Sequence, residues 1–295
     1  MLSAFLLIIT TSMTVVQNVL KKYYNGRTGN KGPMTFCWIS AIFAIIAFAL
    51  SAKHPMQFDS SLVPYSIGFA VAYTVALVFS QYALQTGSLA ITSLILSYSL
   101  LVPTFYGILF LNEVPGWSFW VGIILLVISI FLMNYSSESG KENVKKEKVS
   151  VKWIVFVILA FIGNGMCSTA QTIQLNAFKN FEYPMNSEFM ILALVISSVS
   201  MFIISLFSEK KDVVISVKHG WYFAVLCGAF NGLTNLLVML MQKMGLPVSI
   251  LFPCVSGGGM IITYVVSRVL FKEKMTRAQT VGFFVSVASV VFLNL

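Results

Sequence analysis

Polar side chains recur at spacings of three and four residues within a chain that is otherwise strongly apolar. Thr14 and Gln17 show this spacing in the first half of the chain, and Ser168 and Gln171 repeat it in the second half. Residues three and four apart lie on one face of a helix, so each segment presents a polar stripe. Amide and hydroxyl groups donate and accept hydrogen bonds without carrying charge. The chemistry that they predict is recognition of a polar solute.

The candidate binding residues are amides and tyrosines that fall in corresponding segments of the two halves. They are Gln17, Asn18, Tyr73, Gln81, Tyr98, Asn164, Gln171, Asn231, Asn235 and Tyr264. Two hypotheses stay open for each. A polar side chain in an apolar segment either faces a cavity or hydrogen-bonds a neighbouring helix, which contributes about 0.6 kcal/mol. Because the deep parts of the segments contain no Asp, Glu, Lys or Arg, the pattern favours a neutral or zwitterionic small molecule such as an amino acid or nucleoside.

Two prolines and a run of glycines are the candidate gating or hinge residues. They are Pro103, Pro253, Gly257, Gly258 and Gly259. Proline removes a helical hydrogen bond, and glycine permits local unwinding or close approach of a ligand to the backbone. Tight helix packing through small residues is the alternative interpretation of the glycines.

The chain carries none of the residue patterns that indicate an enzyme or a metal protein. It has no HExxH, GxSxG, phosphate-loop or paired acidic motif, so no catalytic residue, metal site or cofactor is predicted. Cys37, Cys167, Cys227 and Cys254 lie in apolar stretches without metal-ligand spacing. We expect them to be free, packed thiols.

The segments that must position these residues are long and continuously apolar. The chain is 58% hydrophobic and 10% charged, whereas a soluble domain carries about 25% charged residues. Spans of about 20 apolar residues cross a bilayer as helices. Ten such segments are predicted, at 2–20, 34–51, 62–84, 89–111, 117–134, 152–174, 187–207, 220–241, 247–271 and 278–294. The first lacks a basic start and a cleavage site, so we expect a retained helix instead of a signal peptide.

The basic residues predict how the segments are oriented. Of the 19 Lys and Arg residues, all but Lys53, Lys179 and Lys243 fall in or beside the loops after segments 1, 3, 5, 7 and 9. Basic loops face the cytoplasm, which places both termini outside a cell membrane. The net charge of +9 is explained by orientation and by contact with anionic lipid, so a nucleic-acid partner is not expected.

One sequence pattern occurs twice. Residues 107–134 and 267–294 align without a gap and share an acidic residue, Glu113 in one copy and Glu273 in the other. Both carboxylates sit in short turns before a predicted helix, where capping of a helix N-terminus is the expected role. A gating salt bridge is the alternative for Glu273.

The repeat divides the chain into two five-helix units. We expect a first unit at 1–134, a cytoplasmic linker at 135–151 and a second unit at 152–295. Because five is odd, the second unit must enter the membrane inverted relative to the first. Inverted repeats around a central site are typical of secondary transporters.

Residues 83–134, "ALQTGSLAITSLILSYSLLVPTFYGILFLNEVPGWSFWVGIILLVISIFLMN", and 245–294, "GLPVSILFPCVSGGGMIITYVVSRVLFKEKMTRAQTVGFFVSVASVVFLN", resemble the drug/metabolite transporter superfamily, in its ten-helix branch with two EamA-type domains. The resemblance implies an all-α membrane fold of ten helices around a central cavity, working by alternating access without ATP. Small multidrug relatives carry an acidic residue in the first helix, which this chain lacks.

The resulting hypothesis is secondary active transport of small metabolites, with export as one possible direction. A channel for small solutes is the alternative, followed by a membrane-embedded enzyme. We expect a monomer in the lipid bilayer, with a dimer as the alternative.

Overall fold

The described part of the chain consists of helices and connecting turns, without a strand. The structure is a computed structural model, and it describes residues 2–51, 56, 58–87, 89–134, 150–180, 185–270 and 276–293. The helices are α1 (Leu2–Thr28), α2 (Pro33–Ser51), α3 (Val63–Thr86, preceded by a 3-10 turn at Ser60–Leu62), α4 (Leu89–Tyr98), α5 (Leu101–Phe110), α6 (Trp117–Asn134), α7 (Val151–Ala177), α8 (Asn186–Ser208), α9 (Lys211–Lys243), α10 (Val248–Val269) and α11 (Arg277–Leu293).

Seven of the described helices are long and apolar enough to cross a membrane. They are α1, α2, α3, α7, α8, α9 and α10. The apolar stretches of α5, α6 and α11 are shorter. The prediction of an all-helical, multi-pass membrane protein is confirmed, and its count of ten spans stays a prediction. Residues 135–149 of the predicted linker lie outside the described residues.

The predicted span 89–111 is two helices, not one. Helix α4 ends at Tyr98 and α5 begins at Leu101, with a turn in which the Val102 amide donates to the Ser99 carbonyl at 3.1 Å. Pro103 lies in the first turn of α5. Proline has no amide hydrogen and its ring clashes with the carbonyl four residues earlier, here that of Ser99, so the helix is interrupted there.

Helices from the two halves of the sequence pack against each other. Helix α3 packs on α7 and α1 packs on α9, while α2 contacts both α8 and α9. Helix α10 lies against α1, α4, α5 and α11, and α6 pairs with α11. The interior that positions the polar residues is therefore built jointly by both halves.

Small residues permit the close approach of these helices. A methyl group placed on Gly163 of α7 would lie 2.6 Å from the Ala76 backbone nitrogen in α3. One placed on Gly232 of α9 would lie 2.7 Å from the Ala47 side chain in α2. Large apolar side chains point outward instead, as shown by Leu50, which is 82% exposed. Such a surface suits lipid, in which helix association depends on close packing.

Glu113 caps a helix in the other half of the chain. Its two carboxylate oxygens accept hydrogen bonds from the backbone amides of Val248 at 2.9 Å and Ser249 at 2.7 Å. These amides open α10 and have no partner within the helix. The capping prediction is confirmed for Glu113, but the capped helix is α10 and not the following helix α6. Glu273 lies outside the described residues.

Replacing Glu113 by Ala should destabilise the protein by about 0.5–2 kcal/mol, the usual cost of losing an N-terminal cap. The substitution leaves two amide donors of α10 without their acceptor. The measurement is the thermal unfolding midpoint of purified protein in detergent. Asp59→Ala is the matched control, because Asp59 caps only the single exposed turn at Ser60–Leu62. Equal midpoints for the two variants would contradict the assignment.

Glu209 is the corresponding cap at the N-terminus of α2. This buried carboxylate accepts from the amide of Met34 and from the amide and hydroxyl of Thr35, at 2.9 and 2.6 Å. Burial raises the pKa of Glu209, opposed by these hydrogen bonds, of which that from the Thr35 hydroxyl lowers it most. The residue lies between α8 and α9, outside the spans.

The stability of the fold should therefore fall as the pH rises from about 4.5, the ordinary pKa of a glutamate, through the raised pKa of Glu209. In that range the folded state binds more protons than the unfolded state, so deprotonation favours unfolding. The measurement is the unfolding midpoint against pH for wild type and Glu209→Gln, and the variant should show a smaller slope. Asp59→Asn is the control, since Asp59 is exposed and the hydrogen bond from the Ser61 amide lowers its pKa, so its titration does not contribute a fall in stability above pH 4.5. An unchanged slope in Glu209→Gln would refute the prediction.

Candidate functional site

A cavity of about 100 Å³ lies where helices of the two halves meet. A water needs roughly 10–15 Å³ by this measure, so the space fits several waters or a small solute. Helices α1, α3, α4, α7, α9 and α10 line it. The polar lining residues are Thr14, Gln17, Asn18, Lys21, Ser80, Asn164, Asn231 and Thr263. Of the predicted binding residues, Gln17, Asn18, Asn164 and Asn231 are thus brought together.

An amide network crosses the cavity wall from α1 to α9 and α3. The Asn231 amide donates to Gln17 Oε1 at 3.0 Å, and the Gln17 amide donates to Thr234 Oγ1 at 3.1 Å. Tyr73 of α3 donates its hydroxyl to Asn231 Oδ1 at 3.0 Å. Asn231 therefore takes part in the hydrogen bonds to both Gln17 and Tyr73, and its bond to Gln17 fixes the orientation of that side chain. Tyr73 supports this network and does not itself line the cavity.

Asn164 joins the cavity to the break between α4 and α5. Its amide nitrogen donates to Ser99 Oγ at 2.6 Å and to the Leu96 carbonyl at 3.4 Å. Leu96, in the last turn of α4, and Leu100, in the break itself, line the cavity with Asn164. A change in the shape of this broken helix would therefore change the cavity wall directly.

Besides Tyr73, five predicted binding residues lie outside the cavity. Gln81 is buried and donates to Asn25 Oδ1 at 2.7 Å, while Gln171 donates to the Asn235 carbonyl at 3.2 Å. Asn235 donates to the carbonyl of Asn231 in its own helix at 2.9 Å. For Gln81 and Gln171 the described hydrogen bonds fit the helix-packing interpretation, whereas the Asn235 side chain bonds within its own helix.

The two tyrosines belong to a separate apolar cluster between α4, α6 and α10. Tyr98 and Tyr264 pack there with Leu126. The Tyr98 hydroxyl lies 3.3 Å from Ser129 Oγ, and that of Tyr264 lies 3.1 Å from Thr280 Oγ1. Neither tyrosine reaches the cavity lining.

The site is a cavity between helices, lined by both polar and apolar residues. Residues 1–135 match the EamA-like transporter family. The family is part of the drug/metabolite transporter superfamily, so the resemblance seen in the sequence is confirmed for this region. No curated protein sequence matches the chain.

A solved structure shares the fold over nearly the whole chain. It is described as the crystal structure of a protein, and its TM-score is 0.62 at 10% identity, covering 97% of this chain and 98% of the other. At that identity the likeness concerns the fold alone. The shared fold therefore includes both halves of the chain.

The two candidate hinges differ in conformation. The chain is interrupted just before Pro103, whereas α10 runs unbroken through Pro253 and the three glycines. The unwinding predicted for α10 is therefore not present in this conformation. Gly259 lines the cavity, and its predicted contact with a ligand stays a prediction. A methyl group on Gly258 would lie 3.1 Å from Thr11 Cγ2, so this glycine serves helix packing.

Sequence reasoning missed Lys21, which lines the cavity and is 7% exposed. The first span was predicted to end at residue 20, which left Lys21 in a loop, but α1 continues to Thr28. The expectation that the deep segments hold no charged residue is therefore wrong. One signal was available, because Lys21 follows Thr14 and Gln17 at the spacing that places all three on one helix face.

Proposed function

We propose that the chain is a secondary active transporter that moves small polar metabolites across a cell membrane by alternating access. The observation that carries the proposal is the polar cavity, whose walls come from both halves of a protein with an EamA-like first half. Such a cavity at the interface of two repeats is where secondary transporters bind substrate. Amino acids and nucleosides are the solute types that its amides and hydroxyls suit best.

The pattern of helix contacts supports the two inverted units proposed for 1–134 and 152–295. If α1, α2 and α3 correspond to α7, α8 and α9, the contact of α1 with α9 has its counterpart in that of α7 with α3. The contact of α2 with α9 likewise corresponds to that of α8 with α3. A two-fold axis in the membrane plane would produce this exchange of partners.

Contacts between loops support the alternation of the spans. Lys31, after α1, pairs with Asp212 in the first turn of α9, so the loop after α1 and the start of α9 share one side. Glu113, after α5, binds the start of α10. The loop after α5 and the start of α10 therefore share a second side. We assign the first side to the cytoplasm because of its basic residues. Both termini then lie outside.

The unequal shapes of α4–α5 and α10 support alternating access. These elements occupy corresponding places in the two proposed units, yet one is interrupted and the other is continuous. Two units that exchange such shapes would expose the cavity first to one side and then to the other. Pro253, already inside α10, is the position at which we expect α10 to bend in the opposite state.

The test is uptake by purified protein in liposomes. A transporter should give saturable uptake of a radiolabelled small polar metabolite, and unlabelled solute loaded inside should accelerate entry by counterflow. Flux that never saturates and shows no counterflow would indicate a channel and refute alternating access. Empty liposomes and liposomes with heat-denatured protein are the controls.

A further inference from the structure

Lys21 places a positive charge inside the cavity without a described counter-ion. Its ammonium donates to Ser80 Oγ at 3.1 Å, and Ser80 Oγ donates onward to the Leu77 carbonyl at 2.9 Å. A lysine ammonium has three donors, so its hydrogen-bonding capacity exceeds this one bond. Among the described residues, the ion pair present joins Lys31 to Asp212. Lys21 is the charged member of the described cavity lining.

Most of the described carboxylates are engaged elsewhere. Glu113 accepts from the start of α10 and Glu209 from the start of α2. Asp59 accepts from the Ser61 amide, and Asp212 pairs with Lys31. Burial of an ammonium without an opposite charge costs several kcal/mol. A charge retained at that cost within a membrane protein indicates a functional role by default.

The neighbouring residue, Lys22, has a structural role at the end of α3. Lys22 donates to the carbonyls of Leu84 at 3.4 Å and Gly87 at 3.1 Å, at the end of α3. These carbonyls lack partners within the helix, and a cation there also interacts favourably with the helix dipole. Lys22 does not line the cavity. The two adjacent lysines therefore have different surroundings, and of the two it is Lys21 that lines the cavity.

We infer that Lys21 is the counter-ion for a carboxylate group of the transported solute. The inference rests on the proposed transport function and narrows its substrate class to small carboxylic acids, including amino acids and hydroxy acids. The carboxylate would accept from the Lys21 ammonium, completing its hydrogen bonds and neutralising its charge. Gln17, Asn18 and Asn231 then face the remainder of the solute with donors and acceptors. Nucleosides, which lack a carboxylate, are excluded.

The experiment compares matched probes that differ in the carboxylate alone. Serine, threonine and lactate are each paired with the corresponding carboxamide, and adenosine is added as a nucleoside. Saturable uptake and counterflow are measured in liposomes for wild type, Lys21→Met and Lys21→Arg, with Lys22→Met as the control on the adjacent residue. Thermal stabilisation by each probe in detergent gives a second readout that does not need transport.

Wild type should transport at least one acid with at least tenfold higher efficiency than its amide. Lys21→Met should lose at least tenfold for that acid and change less than twofold for the amide. Lys21→Arg should recover much of the loss, and Lys22→Met should match wild type. The acid should raise the unfolding temperature of wild type but not of Lys21→Met.

Two other results have separate meanings. If wild type transports the amides or adenosine saturably and Lys21→Met handles the acids as wild type does, the role of Lys21 is refuted while transport stands. If no probe shows saturable uptake, counterflow or thermal stabilisation with wild type, transport of small polar metabolites and the carboxylate site both fail.

Discussion

Gly228→Ala is expected to prevent stable folding or to lower the unfolding temperature more than any other single glycine-to-alanine change in a described helix. A methyl group at this position of α9 would lie 2.8 Å from the carbonyl carbon of Ser40 in α2 and closer still to its oxygen. These are backbone atoms, which cannot rotate away as a side chain can. The two helices would have to separate along their seam. Overpacking of this kind typically costs about 1–3 kcal/mol, and the backbone location puts this case at the upper end.

The control for Gly228 is alanine at a glycine that meets no neighbour. A methyl group at Gly26 of α1 or Gly68 of α3 would find no atom within 4 Å apart from its own stretch of helix. Alanine is favoured over glycine inside a helix by about 0.5–1 kcal/mol, so both controls should be as stable as wild type or slightly more stable. Folded yield by size-exclusion chromatography and the unfolding midpoint are the measurements. A Gly228→Ala variant that melts with the controls would show that α2 and α9 are not packed as closely as described.

The helical class of the fold was predictable from sequence because apolar composition and segment length decide it. Continuous apolar stretches must form helices in lipid, and the charges in their loops mark the ends. The hydropathy pattern was less informative about the ends of a helix that extends into water. Helix α9 begins at Lys211 instead of residue 220, because residues 211–219 continue the helix in a polar context that a hydropathy pattern cannot delimit.

The helices that form the site were also predictable, but their rotation about their own axes was not. Spacing places Gln17 on one face of α1, and the same argument applies equally to Gln81 of α3. The structure turns Gln17 toward the cavity and buries Gln81 against Asn25. Which face of a helix meets a cavity depends on the neighbours in contact with it, and those contacts join residues that are distant in sequence.

The rule that basic residues beside a span serve orientation is the reason that Lys21 was not predicted as a site residue. Basic residues beside a span usually serve orientation, and Lys22 fits that role. Lys21 lies about 10 Å along the helix from Thr28, by the rise of 1.5 Å per residue, so it is well inside α1. Lys21 lines the cavity because α1 continues beyond residue 20. If α1 ended there, Lys21 would lie in a loop and serve orientation.

Asn231→Ala is expected to reduce transport by more than tenfold while lowering stability by only about 1 kcal/mol. The substitution removes a lining side chain and leaves Gln17 Oε1 and the Tyr73 hydroxyl without their described partner. Hydrogen bonds between membrane helices contribute about 0.6 kcal/mol on average, so two lost bonds cost little stability. Transport suffers more because Gln17 loses the contact that orients it toward the solute. Initial uptake rates and unfolding midpoints of the same preparations are the measurements.

Asn235→Ala separates binding from packing. Asn235 lies one turn further along α9, donates to the Asn231 carbonyl and does not line the cavity. Gln171 donates to the backbone carbonyl of residue 235, which alanine retains. Asn235→Ala should therefore transport at a rate within twofold of wild type. If both variants transport alike and differ from wild type only in stability, Asn231 is a packing residue, and the amide network does not form part of a binding site.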